Sequence, residues 1–189
     1  MRGKRGAFRR QLKRLPAESC VVVDEAGTTT AMTRTHGRAP PGERVHDAVP
    51  LGPWRIKTVA AAVRLGEGVT AALAYDGATD AAAFESFARE TLAPTLRPGD
   101  VVIWDNLQPH KAAEAREAVE ARGARLLFLP PYSPDYSPIE PMWSKAKQFL
   151  RSVGARDDAA LVDAIGDALR SVTPQDVLGY FEHCGYLVH

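Results

Sequence analysis

The feature that most constrains the fold is the stretch Val21-Val22-Val23-Asp24-Glu25, where three β-branched apolar residues run without alternation straight into two acids. A strand that is apolar on both faces has to be covered on both, which is the position of an inner strand in a layered sheet. The pattern recurs at Val101–Trp104, which meets Asp105, and at residues 126–129, which meet Pro130-Pro131. Three buried strands in 189 residues leave room for one domain with a sizeable core. With 45% hydrophobic and 25% charged residues the chain reads as globular rather than disordered or fibrous. No apolar run approaches the roughly 18 residues of a membrane span, so no membrane partner is expected. Cys20 and Cys184 stand at opposite ends of the chain and give no disulfide framework, which fits a reducing cytoplasm.

Between these strands the period changes. Residues 28–34 follow Gly27 and are rich in β-branched side chains, which predicts the second arm of a hairpin. Residues 37–53 hold four prolines and three glycines and read as a loop; 56–65 and 69–75 read as strands. Phe84, Phe87, Ala88, Thr91 and Leu92 line one face of a helix over 80–92. Pro109 opens a second helix that Gly123 stops. Helices are predicted over 138–151, 158–172 and 174–183, the last opened by a Thr173-x-x-Asp176 capping box. Strands alternating with helices define an α/β layer structure with a mixed sheet.

Charge is unevenly distributed. Arg2, Lys4, Arg5, Arg9, Arg10, Lys13 and Arg14 are seven of the 24 basic residues, and residues 1–15 contain no acid, so the rest of the chain carries −6. A basic arm on an acidic body suits nucleic-acid contact beside a cation centre; equally, it suits a solvated tail. This arm, residues 1–18, is the one segment that reads as separable from the domain at 19–189.

Asp24 and Asp105 each close a buried strand, and Glu140 opens the helix after the last one. Sites in open α/β sheets form beyond the carboxyl ends of strands, so the first two converge if their strands are neighbours. Carboxylates gathered there repel unless a divalent ion neutralises them, and an all-oxygen donor set suits Mg²⁺ or Mn²⁺. A pair of ions would then support phosphodiester displacement. The plain alternative is that both Asp residues simply end strands. For Glu140 it is that Ser137-Pro138-Ile139-Glu140 forms a capping box. Glu25 and Asn106 fall on the opposite face by strand alternation. His110 either reaches a phosphate or faces solvent. Ser144, Lys147 and Arg151 follow Glu140 along one helical face, and with Lys145 they either track a phosphate backbone or form a solvated surface. Tyr132 and Tyr136, around Pro134, either stack on a base or pack. Phosphate-binding glycine loops, His-Glu-x-x-His and Gly-x-Ser-x-Gly are absent from the sequence.

Three segments together, Val23-Asp24-Glu25-Ala26-Gly27, Trp104 to Lys111 (WDNLQPHK) and Leu129 to Glu140 (LPPYSPDYSPIE), resemble the DDE transposases, in the bacterial insertion-sequence branch of the mariner superfamily. The 34 residues between Asp105 and Glu140 match that branch, and Thr35-His36-Gly37-Arg38-Ala39-Pro40 is similar to its loop after the first hairpin. The resemblance implies a ribonuclease-H-like fold, a five-stranded mixed sheet flanked by helices with the first three strands antiparallel. It also implies Asp24, Asp105 and Glu140 as catalytic ligands of two Mg²⁺ or Mn²⁺ ions. The implied activity is nicking at transposon ends followed by strand transfer into target DNA. The implied partners are double-stranded DNA and a second copy of the chain, in a bacterial, nucleoid-associated setting. Tyr136-Ser137 stands where the family has Leu-Asn. Residues 1–18 hold no helix-turn-helix region, so a separate N-terminal DNA-binding polypeptide is expected to supply one. Otherwise the chain is a catalytically silent remnant that binds DNA or dimerises. A purely hydrolytic nuclease is the third reading. Electrostatic DNA contacts are expected from His110, Lys145, Lys147, Arg151, Arg9, Arg10, Lys13 and Arg14.

Overall fold

The computed structural model describes residues 2–105 and 113–188. The helix start expected at Pro109 lies outside the described residues, as do Asn106 and His110.

Five strands, β1 (Cys20–Thr29), β2 (Ile56–Arg64), β3 (Gly68–Asp76), β4 (Val101–Trp104) and β5 (Arg125–Phe128), form one sheet in the order β3-β2-β1-β4-β5. β1, β2 and β3 pair antiparallel, whereas β4 runs parallel to β1 and to β5. This is the mixed sheet the resemblance implies. The unbroken apolar run in β1 is explained by layering on both faces. Cys20 and Val22 join the core under α1 (Arg2–Leu12), α4 (Ile139–Val153), α5 (Asp158–Arg170) and α6 (Pro174–His183). Val21 and Val23 join a second core under α2 (Ala81–Ser86), which continues as a π-helical turn over Phe87–Leu92, and α3 (Ala113–Glu120). Among the described residues no helix is long and apolar enough to cross a membrane, and both cysteines are free and buried.

Two expectations about the N-terminal third are corrected. The basic segment is not a separable arm: residues 2–12 form α1, and Phe8 and Leu12, followed by Leu15, sit within the core. Arg9, Arg10, Lys13 and Arg14 are left on the solvent side. Counting charge hid this amphipathic pattern of apolar residues spaced four and three apart. Nor does Gly27 turn a hairpin. It lies outside the left-handed region, unlike the glycines that do turn the chain. It pairs with Thr58 inside a β1–β2 ladder that runs on to Thr29 and Ile56. A two-residue hairpin turn needs positive φ, and Gly27 does not supply it.

At the end of the sheet where β2 finishes, the Arg64 guanidinium grips Asp100 through two hydrogen bonds of 2.8 and 2.6 Å and also donates to the Thr95 carbonyl at 3.2 Å. Both side chains are almost wholly buried. The fork fixes the turn that launches β4, and so where β4 ends, four residues later.

Candidate active site

β1 and β4 pair only from Cys20–Val101 to Val22–Ile103. Extending that register by two residues sets Asp24 beside Asp105, at the point where β4 stops and β1 continues with β2 as its partner. Alternation sends both carboxylates to the α1/α4 side, because Val22 and Ile103 belong to that core while Val23 and Trp104 belong to the other. Asp24 is therefore not the end of its strand, as the sequence suggested, but the second residue of β1 beyond the β4 ladder.

Glu140 comes from the first turn of α4. The expected Ser137 capping box does not form: no side chain caps this helix. The reason is local. A single 3₁₀ turn over Pro134–Tyr136 precedes the helix, and the Ser137 N–H that a Glu140 carboxylate would need already donates to the Pro134 carbonyl at 2.9 Å. Freed from that role, the Glu140 side chain joins Asp24 and Asp105 in lining a cleft of about 510 Å³, walled by Val23, Leu129 and the proline-rich loop from Pro130 to Ser137.

α4 makes a second contribution that the sequence reading missed. Trp143, one turn after Glu140, is buried and donates its indole N–H to Asp24 Oδ2 at 3.1 Å. The i, i+3 spacing from Glu140 was the available signal, since it places both residues on one helical face. The Asp24 carboxyl is pushed up to about 7. Burial is the main cause, and the charges of Glu25, Glu140 and Asp105 add to it, against a stabilising hydrogen bond from the Glu25 backbone. The centre thus accumulates negative charge that Trp143 offsets only in part. Glu25 faces the other side of the sheet, where its charge raises the Tyr75 hydroxyl, itself chiefly raised by burial.

The cations distribute differently from the expected single track. Lys145 is engaged by Asp176 at 2.5 Å, and Asp176 also closes the Thr173 capping box. That lysine, two further hydrogen bonds at the cap and its partner's proximity hold Asp176 down at about 2. Lys147 turns towards α5, beside Ala146, Leu150 and Ile165. Arg151 lines a separate polar groove with Ser144, Gln148, Ser152 and the segment Arg34, Thr35 and His36. Arg5 of α1 reaches the wall of the acidic cleft instead. Its guanidinium donates to the Tyr132 carbonyl (3.1 Å), Ser133 Oγ (2.8 Å) and both Asp135 carboxylate oxygens (3.0 and 2.6 Å), and lies 4.9 Å from the Tyr136 ring centre.

The family model for the DDE superfamily endonuclease matches residues 19–161, about three quarters of the chain and all three acids. The chain belongs to this family. No curated protein sequence matches it. Among solved structures the DDE chain is similar to the Mos1 transposase paired-end complex with left transposon end, with 17% identity, a TM-score of 0.73 and coverage of 96% of this chain and 56% of that one. It is similar to the Mos1 mariner paired-end complex with Mn, with 15% identity, a TM-score of 0.71 and coverage of 96% and 58%. It is also similar to the isolated catalytic domain of Mos1 mariner transposase, with 14% identity, a TM-score of 0.63 and coverage of 96% and 83%. The fold is therefore ribonuclease-H-like. The DDE chain spans little more than half the length of the transposase chains in the paired-end complexes.

Among the described residues no three His, Cys, Asp or Glu side chains stand close enough to hold one ion together. The chemistry of the donors nevertheless fits a hard divalent cation: three carboxylates, no sulfur or imidazole, on one cleft, with mutual repulsion that such a cation would relieve.

Proposed function

We propose that this DDE domain cuts and joins DNA strands at transposon ends, as the catalytic part of a transposase of the insertion-sequence branch. The observation that carries this reading is the convergence of Asp24, Asp105 and Glu140 on one cleft at the carboxyl end of the parallel β1–β4 pair, in a chain of DDE type.

Asp24, Asp105 and Glu140 would hold two Mg²⁺ or Mn²⁺ ions, which activate a water or a 3′-hydroxyl and stabilise the leaving oxygen of an in-line displacement. Asp24 lies within β1 and Asp105 directly follows β4, and the residues before them, Val23 and Trp104, are fully buried, so their separation is set by the sheet. Glu140 approaches from a helix pinned to β1 by the Trp143–Asp24 hydrogen bond. Trp143 orients the Asp24 carboxylate through Oδ2. The wall from Pro130 to Ser137, held by Arg5, bounds the space that a scissile phosphodiester enters. Arg9 and Arg10 on the outer face of α1, the exposed Lys13 and Arg14 that follow it, and Arg151 with Arg34 and His36 in the groove beside α4 supply the electrostatic contacts to double-stranded DNA. Because Lys145 is engaged by Asp176, its part is structural. A second copy of the chain completes the assembly in this reading, since transposition joins two ends.

The test is Mg²⁺-dependent nicking of supercoiled DNA by the parent and by Asp24→Asn, Asp105→Asn and Glu140→Gln. Abolition in all three, with thermal unfolding still cooperative, supports the reading; parental nicking rates in any of them overturn the assignment. Incubation with a pre-cut end then separates strand transfer, which yields joined products, from simple hydrolysis, which yields none.

A further inference from the structure

Tyr132 is the one non-glycine residue with positive φ among the described residues, at +53°. It is also 83% exposed, unusual for a large aromatic side chain. A bulky residue in the left-handed region is backbone strain, and such strain persists only where the surroundings impose it. Here they do. Prolines 130, 131 and 134 stiffen the loop. Arg5 takes the Tyr132 carbonyl itself, the Ser133 hydroxyl and both oxygens of Asp135, from 127 to 130 residues away in the chain. Ser133 Oγ in turn donates to the Pro131 carbonyl at 3.2 Å.

That restraint holds in place a ring with no aromatic partner among the described residues. Tyr136, in the same loop, stacks 5.6 Å from Phe8 and lies under Arg5; Tyr132 makes neither a ring contact nor a side-chain hydrogen bond among the described residues. Tyr132 lines the cleft that contains Asp24, Asp105 and Glu140. Ordinary core packing explains Tyr136 and leaves Tyr132 without a role in stability.

We propose that Tyr132 is a base-stacking residue: its ring takes a nucleobase, unstacked from the duplex, next to the phosphodiester drawn between the carboxylates, and Arg5 is the positioning residue that aims it. The inference rests on reading the cleft as a DNA strand-cutting site. Every base offers a π-face, so this contact fixes the strand without reading sequence. It also makes the enzyme select DNA in which that base is easily unpaired, since extrusion is cheapest there.

The experiment uses the full chain with Mg²⁺ and a short duplex carrying 2-aminopurine on either side of the scissile position, with fluorescence read before turnover. Parent, Tyr132→Phe and Tyr132→Trp are expected to shift the fluorescence on binding. Tyr132→Ala and Tyr132→Gly lose that shift and bind roughly ten- to a hundredfold more weakly. Tyr132→Gly is the decisive variant because glycine accepts the local backbone without strain: its unfolding midpoint should equal or exceed the parent's, so a loss of stacking cannot be a loss of fold. Arg5→Gln should reduce the shift in the parent and add nothing in the Tyr132→Gly background. If Tyr132→Gly keeps the parental shift and affinity while the parent nicks DNA, the stacking role is overturned and the strand-cutting reading stands. A parent that neither nicks nor binds the duplex overturns both.

Discussion

Replacing Asp24 by Asn should stabilise the metal-free protein, and should do so only above mildly acidic pH. The Asp24 carboxyl is raised from 3.8 to about 7 by burial and by the neighbouring charges of Glu25, Glu140 and Asp105. The folded state therefore binds more protons than the unfolded state between those values, and stability falls as pH rises through that window. Below pH 4 the penalty is absent; above pH 7 it is complete. Three units at about 1.4 kcal/mol each set a ceiling of about 4 kcal/mol. Asn keeps an oxygen to accept the Trp143 N–H but forfeits the charge assistance of that bond, about 1 kcal/mol. A gain of about 2–3 kcal/mol at pH 8 remains, roughly 5–10 °C in unfolding midpoint for a chain of this size. At pH 5 the gap should shrink to about 1 kcal/mol or less. Divalent metal closes the gap: at a hundredfold excess over Kd it stabilises the parent by about 2.7 kcal/mol and leaves Asp24→Asn largely unmoved. Calorimetry at pH 5 and pH 8, in chelator and in Mg²⁺, measures all four states. An Asp24→Asn midpoint below the parent's in chelator at pH 8, or a gap independent of pH, would refute the claim that this carboxylate is held at an energetic cost.

Breaking the buried fork with Arg64→Met should cost about 3–5 kcal/mol, because it leaves Asp100 charged and buried; urea unfolding would show it, and a loss below about 1 kcal/mol would assign the turn before β4 to other contacts. Neutralising Arg9, Arg10, Lys13 and Arg14 together to Gln should weaken DNA binding and reduce its logarithmic salt slope by up to about 0.9 for each phosphate no longer neutralised. The fold should survive, since these side chains face solvent. Deletion of residues 1–15, by contrast, should unfold the domain by removing Phe8, Leu12 and Leu15 from the core, which circular dichroism distinguishes from a simple loss of binding. Lys145→Ala should leave the salt slope unchanged and lower stability by less than about 1 kcal/mol, because its partly exposed partner Asp176 keeps its hydrogen bonds to Thr173.

What the sequence disclosed and what it hid divide along the range of the interactions. The capping box of α6 was readable because Thr173 and Asp176 are three residues apart and satisfy each other. The apolar run in β1 was readable because burial on two faces needs no knowledge of which elements cover them. Each failure involved a partner far away in the chain. The Lys145–Asp176 ion pair went unseen because the two residues are 31 positions apart. Residues 1–15 looked like a loose arm because Asp135, the partner of Arg5, lies 130 residues away in the chain. Gly27 looked like a turn because the β2 residues that keep it extended lie about thirty positions on.

Glu140 shows how a local and a long-range pattern compete. Its local pattern argued for a cap and its long-range pattern for a ligand, and the two compete for the same carboxylate. The competition is decided one turn earlier, where Pro134 draws the Ser137 N–H into a 3₁₀ turn and removes the donor that a cap requires. The same turn carries the chain from the strained Tyr132 to the start of α4. Loop stiffness and the release of the third carboxylate therefore share one cause, and a substitution that relaxes Pro134 should disturb both at once.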